Sequence, residues 1–225
     1  MAYLFFKTKK PKLMKTTTIY NLVILDESGS MESIKTQTMN GFNETIQTIR
    51  SAQKKFDTQN HLLTLVTFNS NEVKTILDLA PISKAEMLSI TTYKPDSNTP
   101  LYDALGLSLS RLRHQINQAE DHQVLVSIIT DGHENASREF TGKMVKNLID
   151  ELKTLGWVFT FIGANIDVEK AASEISINNY LSFNQTEEET KAMFEKEAYA
   201  RMNFFDKMSK GTSKNDLHDN YFDKE

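Results

Sequence analysis

Five oxygen-bearing side chains stand at spacings that would let them share one metal ion. Asp26, Ser28 and Ser30 alternate along a single loop, DESGS, that directly follows an apolar run. Asp131 follows a second apolar run in the segment IITDG, and Thr99 opens the segment TPLYDAL between them. Carboxylate and hydroxyl oxygens are hard ligands, which suit Mg²⁺, Mn²⁺ or Ca²⁺ better than zinc or copper. These residues are therefore candidate ligands of one divalent cation, with Mg²⁺ the first choice and Mn²⁺ or Ca²⁺ the alternatives.

The charge of this candidate set indicates what else would bind. Two aspartates only balance the formal charge of a divalent ion, and the neutral hydroxyls leave that ion electrophilic. Mg²⁺ in proteins also keeps several positions that exchangeable ligands occupy. An open position beside such an ion would favour a carboxylate from another molecule.

The elements that position these residues follow from an alternation of apolar runs with helical patterns. Apolar, β-rich runs predict six strands, over 19–25, 61–69, 72–79, 124–130, 157–162 and 180–183. Apolar residues at helical intervals predict five helices, over 32–55, 100–116, 144–155, 167–175 and 186–208. This alternation predicts an α/β fold: a Rossmann-like, doubly wound, mainly parallel six-stranded sheet with helices on both faces. The short turn before 72–79 makes that strand the one antiparallel edge strand.

The predicted topology places the candidate ligands together. In doubly wound sheets, ligands bind beyond the carboxyl ends of the strands, at the point where the strand order reverses. Asp26 and Asp131 each end a strongly apolar strand and precede small residues. We therefore expect both carboxylates to lie at this crevice.

The two ends of the chain differ from the domain between them. Residues 1–16 form a basic N-terminal extension, in which lysines precede the first acidic residue of the chain, Asp26. Residues 17–208 hold all the predicted strands and helices and form one domain. Residues 209–225 are rich in Lys, Asp, Asn, Gly and Ser, which predicts a disordered C-terminal tail.

The composition excludes several classes of protein. The chain has no cysteine, which rules out disulfides and thiolate metal sites and favours the cytoplasm, with the periplasm as the alternative because many exported proteins lack disulfides. Its net charge is −4 although the first residues are basic, and an acidic body argues against general nucleic-acid binding. No apolar segment approaches the roughly 18 residues needed to span a bilayer, and no signal peptide is recognisable. We expect a cytoplasmic protein that binds neither nucleic acid nor membranes, with its oligomeric state undetermined by the sequence.

DESGS at 26–30, Thr99 and Asp131 together resemble the metal-ion-dependent adhesion site (MIDAS) of the von Willebrand factor A (vWA) domain. That pattern reads DxSxS, then a distant Thr and a distant Asp, and no position of this chain departs from it. The resemblance covers about residues 17–185. It implies that the two Ser and the Thr supply hydroxyl ligands, that the two Asp bind directly or through water, and that a partner's Glu or Asp completes the shell. Lacking cysteine and appended modules, the chain is more similar to free-standing bacterial members than to disulfide-bearing extracellular ones.

Three functions are compatible with this site. The leading interpretation is a metal-dependent protein–protein interaction module without catalysis, because no convincing nucleophile or general base accompanies the five oxygens. The alternative is a metal-dependent hydrolase acting on a phosphoester, in which His133 or Glu134 activates water. The third is a structural domain whose ion ties two strand ends together.

Other polar residues beside the motifs have simpler interpretations. Glu27 and Glu134 are predicted to be solvated loop residues, and His133 a surface histidine at the rim of the site. Asp103 is predicted to cap its helix or to support the site by a hydrogen bond rather than to bind metal. The apolar stripe of the last helix is predicted to pack against the domain rather than against a partner.

Overall fold

Six strands form one sheet in the computed structural model, which describes residues 16–116, 121–164, 166–213, 215–217 and 221–222. Of the basic extension predicted over residues 1–16, only Thr16 lies inside this range. The strands are β1 (Thr17–Asp26), β2 (Gln59–Asn69), β3 (Glu72–Pro81), β4 (His122–Thr130), β5 (Val158–Ala164) and β6 (Asn179–Phe183).

The order of the strands confirms the predicted fold class. The order is β3-β2-β1-β4-β5-β6, and every neighbouring pair is parallel except β2 and β3, which are antiparallel. β4 is buried along its whole length, and so is β1 from Ile19 onward. Strands covered on both faces need continuous apolar sequence, which is the pattern that predicted them. In the register of β1 and β4, Leu25 lies opposite Ile129, so the two strands end side by side.

Helices cover both faces of the sheet. They are α1 (Lys35–Lys55), α2 (Leu101–Gln115), α3 (Gly142–Thr154), α4 (Val168–Glu174) and α5 (Glu187–Ser209). One apolar core lies under α1 and α5, and a second lies under α2, α3 and α4. The first helix begins later than predicted, because Gly29–Ile34 form a 3₁₀ turn that leads the chain from β1 into α1. None of the helices in the described residues combines the length and the apolar character needed to cross a membrane.

α5 packs against the domain as predicted. Its apolar residues Met193, Phe194, Phe204 and Phe205 are buried in the core that α1 also lines. Gly41 of α1 allows a close approach, since a Cβ at that position would lie 2.0 Å from the ring of Phe194. The prediction that this stripe serves the core is confirmed for these four residues, whereas Tyr199, which was predicted to belong to the same stripe, is 67% exposed.

Three residues of the C-terminal segment pack against the domain, which differs from the expected disorder of residues 209–225. Leu217, Tyr221 and Phe222 are buried in the same core as α5. The Tyr221 ring lies 5.8 Å from that of Phe204, and the Tyr221 backbone N–H donates to Asn179 Oδ1 (3.1 Å). The polar composition of the segment concealed these few apolar anchors. Residues 214, 218–220 and 223–225 lie outside the described chain.

A buried ion pair joins α5 to the middle of the sheet. Arg201 is 1% exposed, and its Nε donates to Glu197 Oε1 (2.8 Å). Its Nη2 lies 2.6 Å from the same carboxylate oxygen. The guanidinium also donates to Asn21 Oδ1 of β1 (3.2 Å) and to Ser127 Oγ of β4 (2.8 Å). Tyr221 donates its hydroxyl to Glu197 Oε1 (3.3 Å), so the C-terminal segment covers this pair. One charged side chain thus crosslinks a helix and two strands.

His61 lies beside this network and should make the domain sensitive to acid. Burial, together with the smaller effect of the nearby positive charge of Arg201, lowers the pKa of His61 to about 3. The ring contacts Phe205 and lies 3.2 Å from Gln59 Oε1. The folded state therefore keeps His61 neutral, while the unfolded chain protonates it below about pH 6.5.

We expect wild type to lose about 1.4 kcal/mol more unfolding free energy than His61→Gln when the pH falls from 7.5 to 5.5. The sign follows because the unfolded state binds the additional proton, so this stability is complete above pH 6.5 and is lost below it. Urea titrations of both proteins at the two pH values measure the difference. Equal pH dependence in the two proteins would contradict a buried neutral His61.

The two outer strands of the sheet are irregular or short. β3 pairs with β2 through register shifts between Leu63 and Val66, and Leu79 of β3 has a φ of +46°. Its exposed residues include Glu72, Lys74 and Asp78, and Asp78 forms an ion pair with Arg111 of α2 (2.6 Å). At the opposite edge, β6 has only five residues.

Candidate metal centre

The candidate ligands lie where the strand order reverses. β1 leads through α1 to β2 on one side, whereas β4 lies on its other side. The loops after β1 and β4 therefore leave in different directions and open a crevice at the carboxyl end of the sheet. Asp26 ends β1, and Asp131 directly follows β4.

Short hydrogen bonds join the two loops at this crevice. The Ser28 backbone N–H donates to Asp26 Oδ1 (2.7 Å), which curls the loop back on its own strand. The hydroxyl oxygens of Ser28 and Ser30 lie 3.2 Å apart, and Ser30 Oγ donates to Asp131 Oδ1 (2.6 Å). Four of the five candidate side chains thus belong to one connected group.

Thr99 approaches this group from the start of α2. Its backbone N–H donates to Asn135 Oδ1 (2.9 Å), and its carbonyl accepts from the Asn135 N–H (3.1 Å). Thr99 Oγ1 lies 2.8 Å from the point that a Cβ of residue 132 would occupy, so Gly132 leaves room for this hydroxyl beside Asp131. The side chain is 3% exposed. The structure therefore brings Thr99 to the same crevice as the serines.

The two aspartates are buried close enough to affect each other. Burial raises the pKa of Asp26 to about 6, although hydrogen bonds from Thr130 and Ser28 oppose the shift, and the charge of Asp131 adds to it. Burial also raises the pKa of Asp131, while hydrogen bonds from Ser30 and Gln185 lower it. Two desolvated carboxylates in one crevice are unfavourable without a compensating positive charge.

The chemistry of this group fits a hard divalent cation. All five candidate side chains offer oxygen, which is the donor that Mg²⁺ and Ca²⁺ require. Nowhere in the described residues do three His, Cys, Asp or Glu side chains come together as a metal-binding cluster. The crevice itself contributes only two carboxylates, so any ion held there would depend on the hydroxyls for its other protein ligands.

Three residues that support the site were not predicted from the sequence. Thr130 Oγ1 donates to Asp26 Oδ2 (2.6 Å), and the buried Tyr93 donates its hydroxyl to the Asp26 carbonyl (2.7 Å). Gln185 Nε2 donates to Asp131 Oδ2 and to the Ser30 carbonyl (3.0 Å). Thr130 was recoverable, because it ends the predicted strand over 124–130 and directly precedes Asp131. Tyr93 and Gln185 lie in irregular segments, where no local pattern marks them.

Two glutamates beside the motifs are not the solvated residues that we predicted. Glu27 is 9% exposed and accepts the Lys94 backbone N–H (2.5 Å), so it holds the segment that carries Tyr93. Glu134 accepts the backbone N–H groups of Tyr102 (2.9 Å) and Ser137 (2.8 Å) and ties the loop after β4 to α2. These long loops contain backbone N–H groups that have no partner in a helix or strand. A hydrogen bond from such a group to a nearby carboxylate is strong enough to outweigh the carboxylate's preference for water.

Asp103 and His133 have the positions expected of residues that do not bind metal. Asp103 accepts the backbone N–H groups of Arg138, Glu139 and Phe140, at 2.8 to 2.9 Å. It supports the loop after β4 by hydrogen bonds, rather than capping its own helix. His133 is exposed at the surface of that loop.

Comparison with known structures identifies the architecture. The pilus adhesin SpaC from Lactobacillus rhamnosus GG is similar over 88% of this chain and 31% of its own, with 13% identity and a TM-score of 0.61. The proximal thread matrix protein 1 of the mussel byssus is 14% identical, with a TM-score of 0.54, and the similarity covers 84% of this chain and 47% of that protein. The chain therefore spans less than half of either protein. The vWF domain of the type V pilus tip protein Mfa5 from Porphyromonas gingivalis is 10% identical, with a TM-score of 0.56. The similarity covers 88% of this chain and 97% of that domain.

At these identities the structures show a shared fold and no more. No curated protein matches the sequence. The profile of the von Willebrand factor type A domain, however, matches residues 22–197, which include all five candidate side chains and nearly the whole sheet. The chain belongs to the von Willebrand factor type A domain family.

Proposed function

We propose that this chain is a protein-interaction module that holds a divalent cation, Mg²⁺ first among the candidates, with Asp26, Ser28, Ser30, Thr99 and Asp131. Domains of its family are typically protein-interaction modules that often bind metal. The observation that carries the proposal is the junction of two ligand loops, in which Ser30 Oγ donates to Asp131 Oδ1 at 2.6 Å and Ser28 Oγ lies 3.2 Å from Ser30 Oγ.

Each side chain has a distinct part in this function. Asp26 and Asp131 supply the negative charge, and burial strengthens their attraction for a cation. Ser28, Ser30 and Thr99 supply neutral oxygens, so the protein does not overcompensate the positive charge. A bound ion would offer its remaining positive charge to a carboxylate of the partner. The partner class is therefore a protein that presents Glu or Asp at its contact surface.

Hydrolysis of a phosphoester receives less support from this geometry. Glu134 accepts four hydrogen bonds, from the backbone of Tyr102, Ala136 and Ser137 and from the Ser137 hydroxyl. A carboxylate so occupied is a poor general base. His133 is exposed, and none of the described residues orients its ring through a hydrogen bond, which a catalytic histidine would require. We therefore propose a module without catalysis.

We propose a bacterial cytoplasm as the location of this function, since the chain lacks cysteine, as proteins of reducing compartments commonly do. Pilus proteins among the similar structures make the cell surface the competing location. Fractionation of the source cells, followed by immunodetection of this chain, separates the two.

The proposal is tested by capturing partners with the immobilised protein. We expect a partner to be retained in Mg²⁺ and to be lost both in EDTA and with Ser28→Ala/Ser30→Ala, because the ion would lose two protein ligands. Ser51→Ala, which removes an exposed hydroxyl from α1, is the matched control and should retain the partner. Circular dichroism confirms that each variant is folded.

Identification of the partner permits the decisive second step. Replacing its contact Glu or Asp by Gln or Asn should abolish capture by the wild-type protein. Capture of the same proteins in Mg²⁺, in EDTA and by the double variant would show that the ion does not mediate binding.

A further inference from the structure

Gln185 bridges the two loops of the candidate metal site from a third direction. It lies between β6 and α5, 54 residues beyond Asp131 in sequence. Its side-chain amide nitrogen donates to Asp131 Oδ2 and, at 3.0 Å, to the carbonyl oxygen of Ser30. Since Ser30 Oγ also donates to Asp131 Oδ1, both carboxylate oxygens of Asp131 are held by donors of the chain.

The backbone on both sides of Gln185 is held by hydrogen bonds. Thr186 caps α5 by accepting the Glu189 backbone N–H (3.2 Å). The carboxylate of Glu189 reaches back to accept the Asn184 backbone N–H (2.9 Å) and the Asn184 side-chain amide (2.8 Å). This arrangement is related to a capping box, in which the cap residue and the third residue of the helix satisfy each other's backbone donors. Hydrogen bonds therefore hold the backbone on both sides of Gln185, which allows its side chain to restrain the loops that it contacts.

Hydrogen bonds of this kind determine how a ligand is presented to a metal. A carboxylate that binds metal is usually oriented by donors on its other lone pairs, and loss of such a donor lowers metal affinity by about 10- to 100-fold. Mg²⁺ requires near-octahedral geometry at about 2.0–2.1 Å, whereas Ca²⁺ accepts six to eight ligands at about 2.3–2.6 Å in flexible arrangements. A restraint that fixes the spacing of the Ser30 and Asp131 loops should therefore matter far more for Mg²⁺ than for Ca²⁺.

We propose that Gln185 is a positioning residue that makes the site selective for Mg²⁺ over Ca²⁺ by tying the Ser30 loop to the Asp131 carboxylate. This inference rests on the proposed metal-binding function and adds a residue that the DxSxS, Thr and Asp pattern does not contain. Gln185 does not bind the ion in this arrangement. It limits how far the two loops can separate to admit a larger one.

The test is isothermal titration of Mg²⁺ and of Ca²⁺ into wild type and Gln185→Met, a side chain of similar length without an N–H donor. We expect the Kd for Mg²⁺ to rise about 10- to 100-fold, and the Kd for Ca²⁺ to change much less. Gln47→Met, which makes the same substitution at an exposed position of α1, is the matched control and should bind both ions as wild type does. Thermal unfolding in EDTA should give the same midpoint for all three proteins within a few degrees.

The outcomes separate this inference from the function on which it rests. If wild type binds Mg²⁺ and Gln185→Met binds it with the same affinity, the inference about Gln185 is overturned but the proposed metal-binding function is not. A variant that binds Mg²⁺ more tightly would show that Gln185 competes with the ion, and equal losses for Mg²⁺ and Ca²⁺ would show a general structural effect. Both results also overturn the inference. Wild type without affinity for either ion would overturn both proposals.

Discussion

Asp26→Asn is expected to lower the affinity of the chain for Mg²⁺ by more than about 100-fold while leaving the metal-free domain at least as stable as wild type. Loss of a residue that only supports a ligand costs about 10- to 100-fold, and loss of a charged ligand costs more. In the absence of metal, Asp26→Asn is expected to favour the folded state rather than to weaken it. Burial raises the pKa of Asp26 to about 6, which means that the folded state penalises the charged carboxylate at neutral pH. The neutral amide of Asn removes that penalty.

Two measurements at pH 7.5 check this pair of expectations. Isothermal titration gives the Mg²⁺ affinity, and urea unfolding in EDTA gives the stability of the metal-free domain. Asp57→Asn, at an exposed position after α1, controls for the loss of one negative charge and should leave both quantities unchanged. Wild-type Mg²⁺ affinity in Asp26→Asn would remove this residue from the site. A large loss of stability in EDTA would mean that its hydrogen bonds to Ser28 and Thr130 outweigh its desolvation.

Arg201→Met is expected to destabilise the domain by about 3–5 kcal/mol, because it leaves the carboxylate of Glu197 buried without its positive partner. Glu197 is 1% exposed, and within the described chain its Oε2 atom has no hydrogen-bond partner. The substitution also removes donors to Asn21 and Ser127, which join α5 to two strands. Urea unfolding measures the loss. Arg201→Met/Glu197→Leu should recover part of it, since no unpaired charge remains in the core.

Arg113 provides the comparison for this prediction. Its guanidinium lies 2.5 Å from Glu151 Oε1, but both side chains are substantially exposed. Exposed ion pairs contribute about 0–1 kcal/mol, so Arg113→Met should have little effect. If Arg201→Met lowers the free energy of unfolding as little as Arg113→Met does, the buried ion pair is not important for stability.

Sequence patterns predicted the sheet, the helices and the positions of the candidate ligands because each depends on local signals. β1 and β4 are continuous apolar runs that end in Asp, and the parallel pairing of such runs places their carboxyl ends together. The metal-binding role of Asp26, Ser28, Ser30, Thr99 and Asp131 remains a prediction that the titrations above test.

The parts that the sequence did not reveal depend on contacts between distant segments. Gln185 reaches Asp131 across 54 residues, and Tyr93 reaches the Asp26 carbonyl across 67. Neither residue belongs to a periodic pattern, so their partners are known only once the fold brings the segments together. The burial of Tyr221 and Phe222 escaped prediction for a related reason, because two aromatic residues in an otherwise polar segment carry little local signal.

The irregular β3 and the short β6 have a consequence for self-association. Regular outer strands offer unpaired backbone groups to which a further strand can be added, and proteins prevent this with charges, bulges and short edges. β3 combines shifted register with exposed Glu72, Lys74 and Asp78, and β6 is five residues long. We therefore expect this domain to resist edge-to-edge aggregation at high concentration, and to engage other proteins at the end of its sheet rather than along its sides.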